Sequence, residues 1–318
     1  MPLLFLRDAE RRTTHCENRR FISASYRVVL TPSAIKSGVY VSTSLNYSPS
    51  EPRTLRRLAV QTRLTREPVY GDNMNSTDCT FFEFELTSCD PKDMVQTALT
   101  TKQVSVFNTI NANAFNVSLQ DEYFHSALLA SDFLTADGVG VVWAARALGA
   151  KNLRKIAGFD LFSAAMEIAD KQGLIVGFLG STPEILAKIR SKAEVEHPGA
   201  VVKVLSPPFV SEFSTSEAVQ LIDQLGRVDI LFVGMTAPKQ EKFVHQIKEH
   251  ITARVVMSIG AVFDFYSGVT KRPNPVLIRM GLEWLGRSIA DPKKLGKRNL
   301  VAIPKFVVNC IKKAAMGK

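Results

Sequence analysis

Apolar residues along this chain fall into short continuous runs separated by longer stretches with helical spacing. The runs VSVFNTI (104–110), DFLTADG (132–138), LIVGFLG (174–180), VVKVL (201–205), Ile230–Val233 and Val255–Ile259 have the length and composition of buried strands. Between them lie polar-apolar stretches that predict helices over Val139–Leu148, Leu161–Gln172, Pro183–Glu196, Thr215–Leu225 and Lys239–His250. Helix starts are marked by Asp90-Pro91, Gly158-Phe159-Asp160, Ser181-Thr182-Pro183-Glu184 and Ser214 or Thr215. FFEFELTS reads as a first strand from Phe81, and Val117–Ala130 as one helix with Phe124, Leu128 and Leu129 on a shared face. Strands alternating with helices predict an α/β fold, a Rossmann-like, mainly parallel sheet with helices on both faces. Asp229–Arg272 is the clearest stretch: strand, Pro-Lys-Gln-Glu turn, helix and strand in succession.

Outside this regular stretch the pattern changes. Residues 1–75 show scattered Arg, Ser and Thr, interrupted by Pro32, Pro49, Pro52 and Pro68. YRVVL and VYVSTSL have strand character, but so little apolar surface favours disorder. This segment is expected to be an extension or a start-site artefact, with the α/β core over 76–268. Residues 269–318 form an expected basic helical appendage. One helix would start at Asn274-Pro275, and an apolar-basic segment would follow it, interrupted by Pro304. That segment suits either a membrane interface or a helix packed on the core.

Charge sharpens this division. The formal net charge is +10 over 318 residues. Residues 269–318 hold 12 basic and 2 acidic residues, and residues 1–73 hold 12 and 6, which leaves the middle acidic. A basic end on an acidic body argues against a nucleic-acid groove and for contact with phosphates or an anionic membrane surface. Four cysteines without a CxxC pair and five histidines without HExxH give no disulfide framework and no metal motif. No apolar run approaches the ~20 residues that span a bilayer, and the first residues do not make a convincing signal peptide.

The candidate chemistry sits at strand ends. Asp137 closes a buried strand beside Gly138, where a carboxylate partly withdrawn from water can take a proton from an alcohol. Capping the helix from Val139 is the alternative role. Thr109 and Asn111 end the preceding strand and face the same expected crevice. Gly180 and Ser181 form a loop able to approach a phosphate or a base, or a plain turn. Gln240 and Glu241 offer donors and acceptors to a sugar or base, or simply suit a helix N-terminus. Asp264, in AVFDFYSG, is read as a strand-end residue or equally as the cap of a turn. Arg272, Arg279, Arg287 and Arg298 together suit a diphosphate leaving group. There is no P-loop, GxGxxG or DxD.

Six motifs in order carry a resemblance. They are Thr-x-Asn at 109–111, Ala-Asp-Gly-Val-Gly-Val-Val at 136–142, Gly-Phe-Asp-Leu-Phe at 158–162, Pro-Lys-Gln-Glu at 238–241, Gly-Ala-Val-Phe-Asp at 260–264 and Gly-Leu-Glu-Trp-Leu-Gly-Arg at 281–287. From Phe81 to Phe306 the chain resembles the WecG/TagA/CpsF glycosyltransferases (glycosyltransferase family 26). The resemblance implies a peripheral enzyme on the cytoplasmic, inner face of the bacterial plasma membrane. It implies inverting transfer from a UDP-sugar (N-acetylmannosamine, its uronic acid or glucose) to an undecaprenyl-diphosphate-linked sugar. It makes Asp137 the general base and Thr109 a positioning group, with Arg287 and Arg298 reaching the diphosphate from the appendage. It implies no cofactor and no metal, and a homo-oligomer stays open. Lys294 stands where relatives carry arginine, and Met235-Thr236 replaces a small, Gly-containing turn. The alternatives from residues alone are a nucleotide-dependent oxidoreductase and a non-enzymatic membrane-binding adaptor.

Overall fold

The computed structural model describes residues 39–42, 63–66, 79–270 and 297–316; side chains are described over 79–270 and 301–316. The chain divides into two units, Met1–Val69 and Tyr70–Lys318. In the first, β1 (Val39–Ser42) pairs antiparallel with β2 (Arg63–Arg66). β1 falls within the VYVSTSL run, whereas YRVVL lies outside the described residues.

The second unit opens with a hairpin, β3 (Cys79–Phe81) and β4 (Phe84–Leu86), where one strand was expected. Phe81 and Phe84 are both fully buried. Three residues apart on one strand they would face opposite ways, and the turn at Phe82-Glu83 lets both point inward. Phe82 takes φ 53°, a left-handed conformation. Its ring stacks on Phe115 at 5.6 Å, a contact that offsets the ~1–2 kcal/mol of backbone cost.

α1 (Pro91–Thr100) starts at Asp90, whose Oδ1 accepts from Lys92 N at 2.8 Å. β5 (Ser105–Ile110) follows. The helix expected over Val117–Ala130 is two helices, α2 (Ala112–Ser118) and α3 (Glu122–Leu129). Asn111 Oδ1 caps the first through Ala114 N, and Asp121 Oδ1 caps the second through Phe124 N, each at 2.9 Å. Two N-caps ten residues apart cannot belong to one helix, because an N-cap residue is itself non-helical. Phe124 and Leu128 are buried as expected, but Leu129 is 49% exposed and faces away.

The next elements are β6 (Phe133–Ala136), α4 (Val139–Ala147), α5 (Gly158–Gln172), β7 (Ile175–Gly180), α6 (Pro183–Glu196) and β8 (Val201–Leu205). They lead to α7 (Thr215–Leu225), β9 (Ile230–Gly234), α8 (Lys239–Ile247), β10 (Val255–Ser258) and α9 (Gly260–Tyr266). Asp264 therefore lies inside α9 and not at a strand end. Val262, Phe263 and Tyr266 are buried there at helical spacing, so the apolar pattern of AVFDFY belongs to a helix.

The six central strands run parallel in the order β6-β5-β10-β9-β7-β8. One face packs against α1, α5 and α6, through residues such as Met94, Phe162, Phe178, Ile189 and Phe232. The other packs against α7 and α8, through Val106, Leu221, Ile222, Val233, Phe243 and Val244. Ionic ties hold the N-terminal edge. Asp229 accepts from Ile175 N and from Arg254, which also donates to Leu99 O. Asp132 accepts from Val106 N and pairs with Lys248 at 2.7 Å. Burial works against the Asp229 charge, yet these hydrogen bonds leave its pKa below the ordinary value.

A third core cluster sits at the β6 edge, where the hairpin, α2, α4 and the C-terminal α10 (Lys297–Ala315) meet. Pro304 was expected to interrupt this helix, but α10 runs through it. Proline inside a helix costs about 3 kcal/mol, and contacts on both sides of Pro304 oppose that cost. Asn116 Nδ2 donates to Ala302 O at 2.8 Å, and Asn309 Nδ2 donates to Asn116 Oδ1 at 2.9 Å. Phe306 is buried against Phe115 at 5.4 Å, edge to face. Lys313 pairs with Glu83.

Phe306→Ala is expected to release α10 from the core by about 3 kcal/mol. Hydrogen exchange should show α10 amides opening on the order of 100-fold more readily, with the central sheet unchanged. Unchanged α10 protection would contradict this docking.

Candidate active site

A parallel sheet places all strand C-termini at one edge. Here α2, α4, α6, α8 and α9 all begin at that edge, and it is left open to chemistry while ionic ties hold the opposite one. The N-terminus of α5 joins them, since a Cβ on Gly158 would stand 3.2 Å from Ile259 Cγ2. Each helix start contributes unsatisfied N–H groups and about half a positive charge, a setting suited to an anionic ligand.

The direction of the chain locates the crevice. The loop after β7 leads outward to β8, whereas the loop after β9 leads back toward β10. Their paths diverge between β7 and β9, which makes the topological switch point of this sheet. The contact there is between backbones. Gly180 has φ 130°, and a Cβ on it would come within 2.2 Å of Gly234 O. Ser181 follows at φ 59°, and its carbonyl accepts from Ser206 Oγ at 2.8 Å. Gly180 and Ser181 thus lie in the turn between β7 and α6, in line with the loop after β9.

Gln240 and Glu241 join this wall from α8. Both are buried, with 6% and 4% of their surface exposed. Gln240 Oε1 accepts from Met235 N at 3.3 Å and from Gly260 N at 3.0 Å, so one side chain ties the loop after β9 to the start of α9. Gln240 Nε2 donates to Glu241 Oε1 at 2.8 Å. Glu241 Oε2 has no hydrogen-bond partner among the described residues. Burial pushes the Glu241 pKa up to about 7, against the hydrogen bonds from Gln240 and its own backbone N–H.

Two side chains not singled out from the sequence extend the wall. Lys239 donates to Val210 O and stands 4.2 Å over the Phe213 ring. It ties the loop after β8 to the start of α8, and burial lowers its pKa. Ser206 makes the bond to Ser181 already described. Lys239 stood within the Pro-Lys-Gln-Glu motif, but its partners lie about thirty residues earlier and share no pattern with it.

On the other side of β10 stand Asp137 and Thr109. Thr109 pairs with Thr135 and Ile110 with Ala136, and Asp137 N extends the ladder to Ile110 O at 2.9 Å. Strand alternation puts Thr109, Thr135 and Asp137 on one face. Thr135 is committed to Ile156 O at 3.1 Å, whereas Thr109 and Asp137 are only half-buried at the rim. The N-cap of α4 is Gly138, with φ 107° and no side-chain cap, so Asp137 does not hold that position. Asn111 Oδ1 caps α2. β5 and β9 flank β10, so the two walls stand about 10 Å apart. Arg272, Arg279, Arg287 and Lys294 lie outside the described residues. Arg298 belongs to α10 by its backbone, and its side chain lies outside them.

A parallel Rossmann-like sheet with an anion-suited switch point and a carboxylate at a neighbouring strand end is a setting suited to group transfer from an anionic donor. The family description "Glycosyl transferase WecG/TagA/CpsF family" matches residues 79–318, and the chain belongs to that family. A relative in Bacillus spizizenii is 28% identical over 234 residues, 73% of this chain and 88% of its own. Another in Bacillus subtilis is 28% identical over 210 residues, 65% of this chain and 79% of its own. Both are named N-acetylglucosaminyldiphosphoundecaprenol N-acetyl-beta-D-mannosaminyltransferase.

The buried carboxyl predicts a pH dependence of stability. Below pH 4.5, the ordinary value, Glu241 is protonated in both the folded and unfolded chain and contributes no slope. Between 4.5 and about 7 only the unfolded chain ionises, so stability falls as pH rises. Above that window the cost is complete, about 3 kcal/mol. Denaturant titrations of Glu241→Gln should lack this slope, and curves parallel to those of the parent protein would contradict it.

Proposed function

We propose that this glycosyltransferase moves a sugar, with inversion, from a UDP-sugar to a polyprenyl-diphosphate-linked sugar in bacterial surface polysaccharide synthesis. The names of the two relatives favour N-acetylmannosamine as the donor sugar and undecaprenyl-diphosphate N-acetylglucosamine as the acceptor, ahead of the uronic acid and glucose donors. The observation that carries the reading is the position of Asp137 and Thr109 at neighbouring strand ends on one face of the sheet, across β10 from the switch point.

In this reading the wall after β7, β9 and β10 seats the nucleotide diphosphate against helix N-termini. The acceptor hydroxyl approaches from the β5–β6 side, where Thr109 helps orient it. Asp137 takes its proton as the hydroxyl oxygen attacks the anomeric carbon from the face opposite the diphosphate. The new C–O bond forms while the bond to the β-phosphate oxygen breaks, and UDP departs with that electron pair. Helix N-termini, with Arg287 and Arg298 of the appendage, balance the departing charge. No step calls on a metal.

We place the catalytic unit at 76–268, with 1–75 as an extension and 269–318 as an appendage that meets the membrane. The family match beginning at Cys79 supports the first boundary. Among the described residues no helix is long and apolar enough to cross a membrane. The outer side of α10 exposes Val301, Val307, Val308 and Ile311 together with Lys305 and Lys312. This combination suits a helix lying on an anionic bilayer, where the acceptor lipid resides.

Asp137→Asn is expected to lower turnover by about 10²–10⁴-fold while UDP affinity holds. UDP release from UDP-N-acetylmannosamine with a short-chain polyprenyl-diphosphate N-acetylglucosamine reads this directly. Turnover within a few-fold of the parent enzyme would rule out Asp137 as the base. Reversing Lys305 and Lys312 to Glu should weaken sedimentation with phosphatidylglycerol vesicles at least about tenfold. Undiminished sedimentation would remove α10 from the membrane contact.

A further inference from the structure

We propose that Glu241 is a positioning residue of this transferase, one that fixes the side-chain amide of Gln240 in the orientation joining the loop after β9 to the start of α9. The proposal rests on the reading of those loops as the donor wall.

A glutamine amide has two ends, and a rotation of 180° exchanges its oxygen for its nitrogen. At Gln240 only one orientation works. The N–H groups of Met235 and Gly260 both point at the same atom, so that atom must be the acceptor oxygen. The nitrogen then needs its own acceptor in a site with 6% exposure. Glu241 Oε1 supplies it at 2.8 Å. Without that acceptor the nitrogen is left buried and unsatisfied, and the amide is held less firmly in the orientation that serves Met235 and Gly260.

The surroundings of Glu241 suit this task. Lys248, two helical turns beyond Glu241 and just past the end of α8, reaches Asp132, whose carboxylate holds Val106 N near the start of β5. Two turns span about 10 Å, which sets Glu241 near the level of Asn108. Alternation puts Asn108 on the face of Val106 and Ser258 on the face of Val256, both within the core that α8 covers. Met257 pairs with Phe107, so Ser258 and Asn108 follow as neighbours. Ser258 Oγ and Asn108 Oδ1, like Glu241 Oε2, are buried without hydrogen-bond partners among the described residues. Glu241 Oε2 is thus one of several buried polar atoms on the side of the sheet that α8 covers. Either protonation state leaves Oε1 able to accept from Gln240.

The required precision comes from the packing around Gly260. A Cβ there would lie 2.0 Å from Met235 O and 2.6 Å from Gln240 Oε1, so only glycine lets the Met235 carbonyl and the Gln240 amide approach this closely. A rotated amide turns N–H toward N–H at this contact and separates the loops.

The test compares Glu241→Gln, which keeps an acceptor oxygen, with Glu241→Met, which removes it at similar length. In Glu241→Met the Met235 and Gly260 amides should exchange with solvent roughly tenfold faster, the effect of one net hydrogen bond. The donor KM should rise by a similar factor, with a smaller change in kcat. Glu241→Gln should restore both readouts. Amide protection unchanged in Glu241→Met, or Glu241→Gln matching Glu241→Met, would overturn the proposal. Should Glu241→Met fail to fold, Gln240→Met strips the acceptor from the same two amides. Equal loosening is expected there, and unchanged exchange overturns the assignment. Exchange is read without substrate, so a protein that loosens as expected but transfers no sugar would contradict the functional reading and leave the positioning role standing.

Discussion

The candidate site depends on backbone meeting backbone at the ends of β7, β9 and β10. A Cβ at Gly180 would press on Gly234 O, and one at Gly260 would press on Met235 O. No side chain fits at Gly180 or Gly260 themselves, so peptide groups form much of the wall. Gln240 then locks the wall from behind through two amides. Loops built this way are held as closely as the sheet beneath them, which is what a nucleotide-sugar site needs to fix its reacting carbon.

The remaining architecture supports this wall or brings groups up to it. Asp229, Arg254, Asp132 and Lys248 tie the opposite edge of the sheet. Lys239 and Ser206 secure the loops after β8 and β7. α10 packs against α2, immediately beyond Asn111 and β5, so the basic C-terminal helix is joined to the side of the site that holds Thr109 and Asp137.

Much of this was legible in the sequence because buried parallel strands read as unbroken apolar runs. The strands ending at Ile110, Ala136, Gly180, Gly234 and Ser258 all stand out that way, and Asp137 and Thr109 could be placed at strand ends directly. The errors have physical causes. FFEFEL alternates like one strand, but burying Phe81 and Phe84 together requires a turn. Asn111 and Asp121 interrupt a helical pattern because each caps a separate helix. Pro304 is tolerated because Asn116 and Phe306 anchor the helix on either side. The locking role of Gln240 was hidden, since Met235 and Gly260 present only backbone to it and lie 25 residues apart in the chain. Glu241 read as offering acceptors to a sugar or base or as an acid suited to a helix start, and its burial and its bond to Gln240 show only in the structure.

The central claim is that the loops after β7, β9 and β10 hold the donor nucleotide. Hydrogen exchange of the full-length protein with and without UDP tests it most directly. Slowed exchange confined to residues 180–182, 234–241 and 259–261 is the predicted result. Slowed exchange confined to other strand ends, or no change at saturating UDP, would contradict it.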